Sequence, residues 1–464
     1  MEPIRYGSAA GRWVVAATVL GSGIAFLDGT VVNVALPAIA RDLHADVRGL
    51  QWILDAYLVT LSALLLLGGT LGDLYGRRRV FLIGLGWFVA ASLLCGLAPS
   101  TGALVAARAL QGLGGALLVP GSLALLSAVF VPEDRSKAVG AWSGLAGVAS
   151  ALGPFVGGYL IDAVSWRLIF LINVPLAAGC AWMTVRHVPE TRDPAGSRLD
   201  GIGVGCVTLG LAALAYALID KSVAAGVVGG LAMAAFVVVE RRRGDKAMLP
   251  LTVFRSSQFT GANLTTLAVY AGLGGAFFLL SLHLQNALGY SALEAGTSLL
   301  PFTVIMLLAS ARVGALAQRV GPRLLMTIGP LVAGLGLALL GRVRPGLGYV
   351  DAVLPGVLVF GVGMTLTVAP LTSAVLAAAD QRHLGVASGF NNAVARVAGL
   401  LAVAVLPGLG GGFGRAMRIS AAVCALGGVV AWLTVRRAVP VEATTQAAVL
   451  HPCHEPCLAE TDAA

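Results

Sequence analysis

Two stretches fix the architecture of this chain: GTLGDLYGRR, Gly69 to Arg78, and GALAQRVGPR, Gly314 to Arg323. Laid over one another they match at Gly69/Gly314, Leu71/Leu316, Gly76/Gly321 and Arg78/Arg323, an offset of 245 residues. A second match keeps that offset, with Gly140, Ser143 and Gly144 over Gly385, Ser388 and Gly389 and Lys137 over Arg382. Two independent matches at one offset mark an internal repeat. Apolar runs of about twenty residues separate the short polar patches, the length a helix needs to cross a hydrocarbon core of ~30 Å. The first run continues past Asp28 to Pro37, so it is an uncleaved first span rather than a signal segment. The other runs centre near residues 60, 90, 115, 150, 177, 209, 231, 270, 302, 333, 362, 395 and 425. Eight spans lie between the two copies where a simple duplication of six would leave six. The surplus pair is therefore the spans near 209 and 231, which gives six plus two plus six.

Composition agrees. The 464 residues are 58% hydrophobic and 11% charged, with mean hydropathy +0.88; a soluble domain carries about 25% charged residues. Disorder, a disulfide scaffold and an ordinary cytosolic enzyme are excluded. Too little chain lies outside the spans for a sizeable soluble domain. Four of the six cysteines, Cys95, Cys180, Cys206 and Cys424, sit inside apolar runs as small packing residues. The formal charge of +9 is scattered over loops, which suits a membrane surface and not nucleic acid. Basic residues near span ends divide 20 against 8 between the two faces, and the richer face includes both termini. Positive residues collect in the cytoplasm, so both termini are expected there. The expected division is 1–188 as an N-terminal six-helix bundle, 189–250 as two linker spans, 251–437 as a C-terminal six-helix bundle and 438–464 as a cytoplasmic disordered tail. Repeats related by an axis along the membrane normal are a recurring transporter plan with the substrate site between the halves.

Charges inside spans carry the chemistry. Asp28 lies deep in the first apolar helix, where a carboxylate is expensive and by default functional. Burial favours its neutral form, so it can bind and release a proton; alternatively it is satisfied by Thr30 and Asn33 alongside. Arg108 cannot shed its proton and needs an anion, a carbonyl cage or water. At 1.5 Å rise per residue Asp28 sits ~12 Å and Arg108 ~9 Å below the outer edge, a similar depth. Gln111, Asn33, Asn263, His283, Gln285, Asn392 and Arg396 are candidate cavity residues. His283 lies near a span end, where an interfacial role competes with proton carriage, and Arg396 lies near mid-membrane. The charge of the preferred substrate stays open. Gly153, Pro154, Gly157 and Gly158 permit close backbone approach and a kink. The tail HPCHEPC, His451 to Cys457, has no standard zinc spacing and is expected to be disordered and metal-free. Neither a Walker A loop nor GxSxG nor HExxH occurs, so an enzyme, a nucleotide partner and a cofactor are not expected.

These residues resemble the major facilitator superfamily, and within it the fourteen-span drug:proton antiporters. LDGTVVNVALP (Leu27 to Pro37) resembles that group's first-span signature. Gln51, Trp52 and Tyr57 followed by GTLGDLYGRRR resemble its second span and loop motif, Arg108, Gln111 and Gly112 its fourth-span basic motif, and LGPFVGG (Leu152 to Gly158) its fifth-span antiporter motif. WRLIFLINVP (Trp166 to Pro175) and LHLQNALGYSALEAG (Leu282 to Gly296) extend the likeness along nearly the whole chain. Two departures stand out: Ala149 replaces a usual glycine, and Leu74 a frequent basic residue. The resemblance implies an all-α, fourteen-helix facilitator fold in a bacterial plasma membrane, exchanging protons for amphipathic small molecules or drugs by alternating access. Multidrug efflux and antibiotic resistance, or dedicated export of one self-made metabolite, both fall within it; a sensor or enzyme that kept the fold is the alternative outside transport. It further implies proton coupling by Asp28 and Arg108, and conformational roles for Gly69, Asp73, Gly76, Arg77, Arg78 and the Gly153 to Gly158 run. Gln318 stands where the first copy has Asp73, so any loop latch is expected to be asymmetric. A functional monomer is the default.

Overall fold

The computed structural model describes residues 4–193, 200–244, 247, 249–378 and 384–436. The tail with His451, Cys453, His454 and Cys457 lies outside them.

Among the described residues, fourteen helical spans long and apolar enough to cross a membrane run in series. They are α1 (Ala9–Leu43), α2 (Val47–Tyr75), α3 (Arg77–Gly96), α4 (Thr101–Val129), α5 (Pro132–Ala163), the pair α6 (Leu168–Leu171) and α7 (Asn173–His187), α8 (Gly201–Ile219), α9 (Val223–Arg243), α10 (Ser257–Asn286), the pair α11 (Ala292–Thr297) and α12 (Leu300–Val320), α13 (Pro322–Leu340), α14 (Leu354–Ala377), α15 (Leu384–Val405) and α16 (Gly412–Thr434). The sixth and tenth spans are thus each broken into two helices. Helix starts follow local chemistry. Ser8, Asp46, Ser100, Ser222 and Ser256 accept from the backbone N–H three residues on, which satisfies donors that a new helix leaves orphaned. Ser291 and Glu294 form a reciprocal capping box at α11.

The repeat is visible in the backbone. α2 ends and α3 begins at Gly76, φ +106°, and α12 ends and α13 begins at Gly321, φ +82°. Both φ values are unfavourable for residues with a Cβ, so the two matched glycines make the same chain reversal in each half.

Each half has its own apolar core. One is built on Ile24, Tyr57, Phe81, Phe88 and Leu118, the other on Val269, Phe302, Leu337, Phe360 and Met417. The α8–α9 hairpin straddles the join: Leu211 and Ala215 on α8 pack with Val59 and Ala63 of α2 and Leu400 of α15. Its turn is tied to α2, because Asp220 accepts from Trp52 Nε1 at 3.0 Å and faces Arg48 at 3.7 Å.

The two bundles are sealed in the half of the molecule away from the termini. Gln51 on α2 donates to the Val403 and Ala404 carbonyls at 2.6 and 3.0 Å. Gln285 on α10 donates to the Val34 carbonyl at 2.9 Å. Asp162 at the end of α5 accepts from the backbone N–H groups of Ala292 and Leu293 at 3.2 and 2.8 Å, the start of α11, where an anion meets free helix donors. Among the described residues, all hydrogen bonds between the bundles lie in this half.

Candidate functional site

Asp28 and Arg108 meet. Arg108 Nη1 donates to Asp28 Oδ2 at 2.5 Å, with the two side chains 1% and 0% exposed. The expected local partners of Asp28 are not the ones used. Thr30 spends its hydroxyl on the Phe26, Leu27 and Ser150 carbonyls, and Asn33 bonds the Gly29 and Thr30 carbonyls of its own helix. Within a helix, a short hydroxyl or amide reaches the preceding turn's carbonyls more readily than a neighbouring carboxylate.

Other helices supply what α1 does not. Asp28 Oδ1 accepts from Gln111 Nε2 at 2.8 Å and from Asn173 Nδ2 at 3.2 Å. Gln111 and Asn173 also donate to Ser92 Oγ at 2.8 and 3.2 Å. Arg108 also donates from Nη1 to Gln111 Oε1 at 2.6 Å and from Nε to the Ile53 carbonyl at 3.1 Å. Its guanidinium carbon lies 4.2 Å from the Tyr57 ring centre, a favourable seat for a cation. Asp28, Ser92, Arg108, Gln111 and Asn173 are all buried. Helices α1, α2, α3, α4 and α7 therefore converge on one charge pair. Asn173 gets there because the sixth span breaks at Ile172, so that α7 starts with Asn173 buried inside the bundle.

The glycine run on α5 is pressed from two sides. A Cβ at Gly153 would meet Thr30 Oγ1 at 2.1 Å and one at Gly157 would meet Val31 at 2.2 Å, both on α1. On the other side a Cβ at Gly158 would lie 2.6 Å from the Ala292 carbonyl oxygen, and one at Gly296 would lie 2.1 Å from the Pro154 carbonyl oxygen. α5 is thus wedged between α1 and α11, across the join of the bundles. Ala149, in place of the usual glycine, still fits: its Cβ lies 3.2 Å from where a Gly23 Cβ would be.

In the loop motif, Asp73 and Arg77 pair within one helical turn of sequence at 2.7 Å, and Gly69 faces Pro120 of α4. A residue that the motif does not contain completes it. Glu190 accepts from the backbone N–H groups of Arg78 and Arg79 at 3.0 Å each, capping α3 from a distant segment, and Arg78 reaches the Val188 carbonyl.

The remaining candidates scatter. His283 stacks on Phe413 with ring centres 4.0 Å apart and faces the Val343 carbonyl, away from the charge pair. Asn263 bonds the Phe259 carbonyl and accepts from Asn391, which also donates to Thr266. Asn392 bonds its own helix at Ser388. Gln285 belongs to the seal between bundles. Arg396, in the middle of α15, points across to α1, its guanidinium carbon 5.3 Å from the Phe26 ring centre.

The sequence profile of the Major Facilitator Superfamily matches residues 18–403. The chain belongs to that superfamily. Among its relatives, a probable actinorhodin transporter of Streptomyces coelicolor is 34% identical over 426 residues, covering 86% of this chain and 74% of that protein. The multidrug resistance protein Stp of Mycobacterium tuberculosis is 35% identical over 406 residues, covering 84% and 74%. Of solved structures, a POT family transporter in complex with a thioalcohol-conjugated peptide superposes with TM-score 0.70 over 90% of this chain and 95% of its own, at 14% identity. That likeness carries the fold.

This facilitator holds one intramembrane carboxylate that the motif reading passed over. Asp55 on α2, one turn inside Gln51, is 0% exposed, and neither of its oxygens has a hydrogen-bond partner. The signal was present in the sequence: an acidic residue eight positions into an apolar helix is as expensive there as at position 28.

Proposed function

We propose that this chain is a proton-coupled exporter that exchanges inward protons for outward amphipathic small molecules across a bacterial plasma membrane, acting as a monomer without a cofactor. The observation that carries the coupling reading is the buried Asp28–Arg108 pair. A guanidinium cannot lose its charge, so a proton arriving on Asp28 strips Arg108 of its counter-ion while leaving it with Gln111 and the Ile53 carbonyl. The bonding between α1 and α4 then changes with each proton. Asp55, buried on α2 without a hydrogen-bond partner, is a second group able to carry one. Working bodies 1–188 and 251–437 rock about the seam, with 189–250 as the linker hairpin.

The face that carries the termini is read as cytoplasmic, on the bias of 20 against 8 basic residues. The seal through Gln51, Asp162 and Gln285 then closes the outer side, which is the inward-facing state. The fifth-span glycines, wedged between the two halves, support export through tight closure of that side.

Both a broad drug range and a single metabolite fit this reading, since one relative bears a multidrug name and another that of one compound, actinorhodin. Dye-reported proton release from energised everted vesicles separates these readings, across lipophilic cations, neutral drugs and anionic metabolites with Asp28→Asn alongside. Release by several compounds, lost in the variant, supports a broad antiporter. Release by one supports dedicated export. Release that persists in Asp28→Asn would remove this residue from the coupling.

A further inference from the structure

Arg396 lies at the seam, across from Phe26 of α1, with no anion beside it among the described residues. Among the described residues it makes no hydrogen bond and no ion pair; its guanidinium carbon lies 5.3 Å from the Phe26 ring centre, and its Nη1 4.0 Å from where a Gly29 Cβ would be. The other deep arginine, Arg108, is neutralised by Asp28 and bonded through Nη1 and Nε. Arg312 is exposed on α12 and donates to the Leu308 carbonyl of its own helix at 2.8 Å. The join between the halves therefore carries one uncompensated positive charge near mid-membrane, where an unmatched charge is costly. An aromatic ring eases that cost and does not cancel the charge.

Its surroundings fit a particular kind of guest. Arg396 is only partly buried, so its planar fork of donors can still engage a ligand, and that fork suits a two-oxygen anion. Phe26 is followed by Trp142 of α5 at 6.4 Å between ring centres, with the indole N–H occupied by Ser22. Phe26 presents a half-buried ring to a flat hydrophobic body, with the buried Trp142 behind it. Phe26 lies on the N-terminal bundle while the guanidinium comes from the C-terminal one, so a guest held by both spans the halves that must move.

Resting on the exporter reading above, we propose that Arg396 sets the charge class of the substrate: it takes the carboxylate, sulfonate or phenolate of an amphipathic aromatic anion, whose ring lies against Phe26. Asp28 and Arg108 handle the proton, and Arg396 handles the guest.

A matched set of probes tests this: anthracene-9-carboxylate, its neutral amide and 9-(aminomethyl)anthracene, titrated against the full chain in nanodiscs of zwitterionic lipid, where no anionic headgroup competes. The carboxylate is expected to bind about tenfold more tightly than the amide, about 1.4 kcal/mol, with the amine weakest. Arg396→Gln should erase the difference between carboxylate and amide, and Arg396→Lys should restore part of it, an outcome that lost folding does not produce. Equal or tighter binding of the amine, an unchanged preference in Arg396→Gln, or binding of none of the three overturns the proposal. Counterflow of the same compounds in proteoliposomes separates the two readings. Selective binding without counterflow counts against export and leaves charge selection standing, whereas equal counterflow of all three leaves export standing and ends charge selection.

Discussion

Asp28 and Arg108, eighty residues apart in the chain, lie 2.5 Å from one another with essentially no exposure. Such a pair gives weak support to stability in itself, because the desolvation of two charges offsets their attraction. Breaking it is another matter.

Asp28→Asn leaves Arg108 buried without its counter-ion, at a cost of about 3–5 kcal/mol. A lower melting temperature in detergent and loss of proton-driven efflux are expected, with exchange of substrate down its own gradient retained. Arg108→Lys keeps the charge but cannot serve Asp28, Gln111 and the Ile53 carbonyl from one planar fork. Full coupling in that variant would sink the role given to Arg108.

Asp55 behaves oppositely. It has no partner to lose, so Asp55→Asn and Asp55→Leu should melt at or above the wild-type temperature. If Asp55 carries a proton, Asp55→Asn also lowers the number of protons released per substrate, measured by pH dye against substrate counterflow. An unchanged ratio would confine Asp55 to a structural cost.

Closure depends on the approach of α5 to α11. Gly158→Leu places a side chain against the Ala292 carbonyl, which backbone cannot yield. Single cysteines in the half away from the termini should label faster from outside in this variant, and turnover should fall by at least about tenfold, the equivalent of 1.4 kcal/mol. Labelling as slow as in the parent would show that the seal does not need this contact.

Gly76→Ala meets two penalties, a φ of +106° and a Cβ 2.8 Å from the Glu190 carboxylate. Gly321→Ala, at φ +82°, meets the backbone penalty, about 1–2 kcal/mol. Thermal denaturation of both variants with Glu190→Ala as background is the check: if Glu190 adds to the strain, its removal narrows the gap between the two.

How much of this was legible in advance follows from what each residue depends on. The break at Gly76 and its copy at Gly321 could be read because a repeated glycine at one offset reports a local backbone need. Asp28 and Arg108 could be set at one depth, since the rise of a helix is fixed. Asn173 could not be assigned to Asp28, because its position depends on where the sixth span breaks. Nor could Glu190 be tied to the start of α3, 112 residues away along the chain.

The sequence by itself determined the fourteen spans, the pairing of halves and which charges lie in the membrane, because apolar length and helix rise are properties of single segments. The tertiary structure alone decided the direction in which each side chain points and so which charge finds a partner. Asp28 is satisfied by three side chains from two helices, Asp55 by none, and Arg396 faces a ring across the seam. Rotation of a helix about its axis is set by its neighbours' packing, and no single segment carries that information.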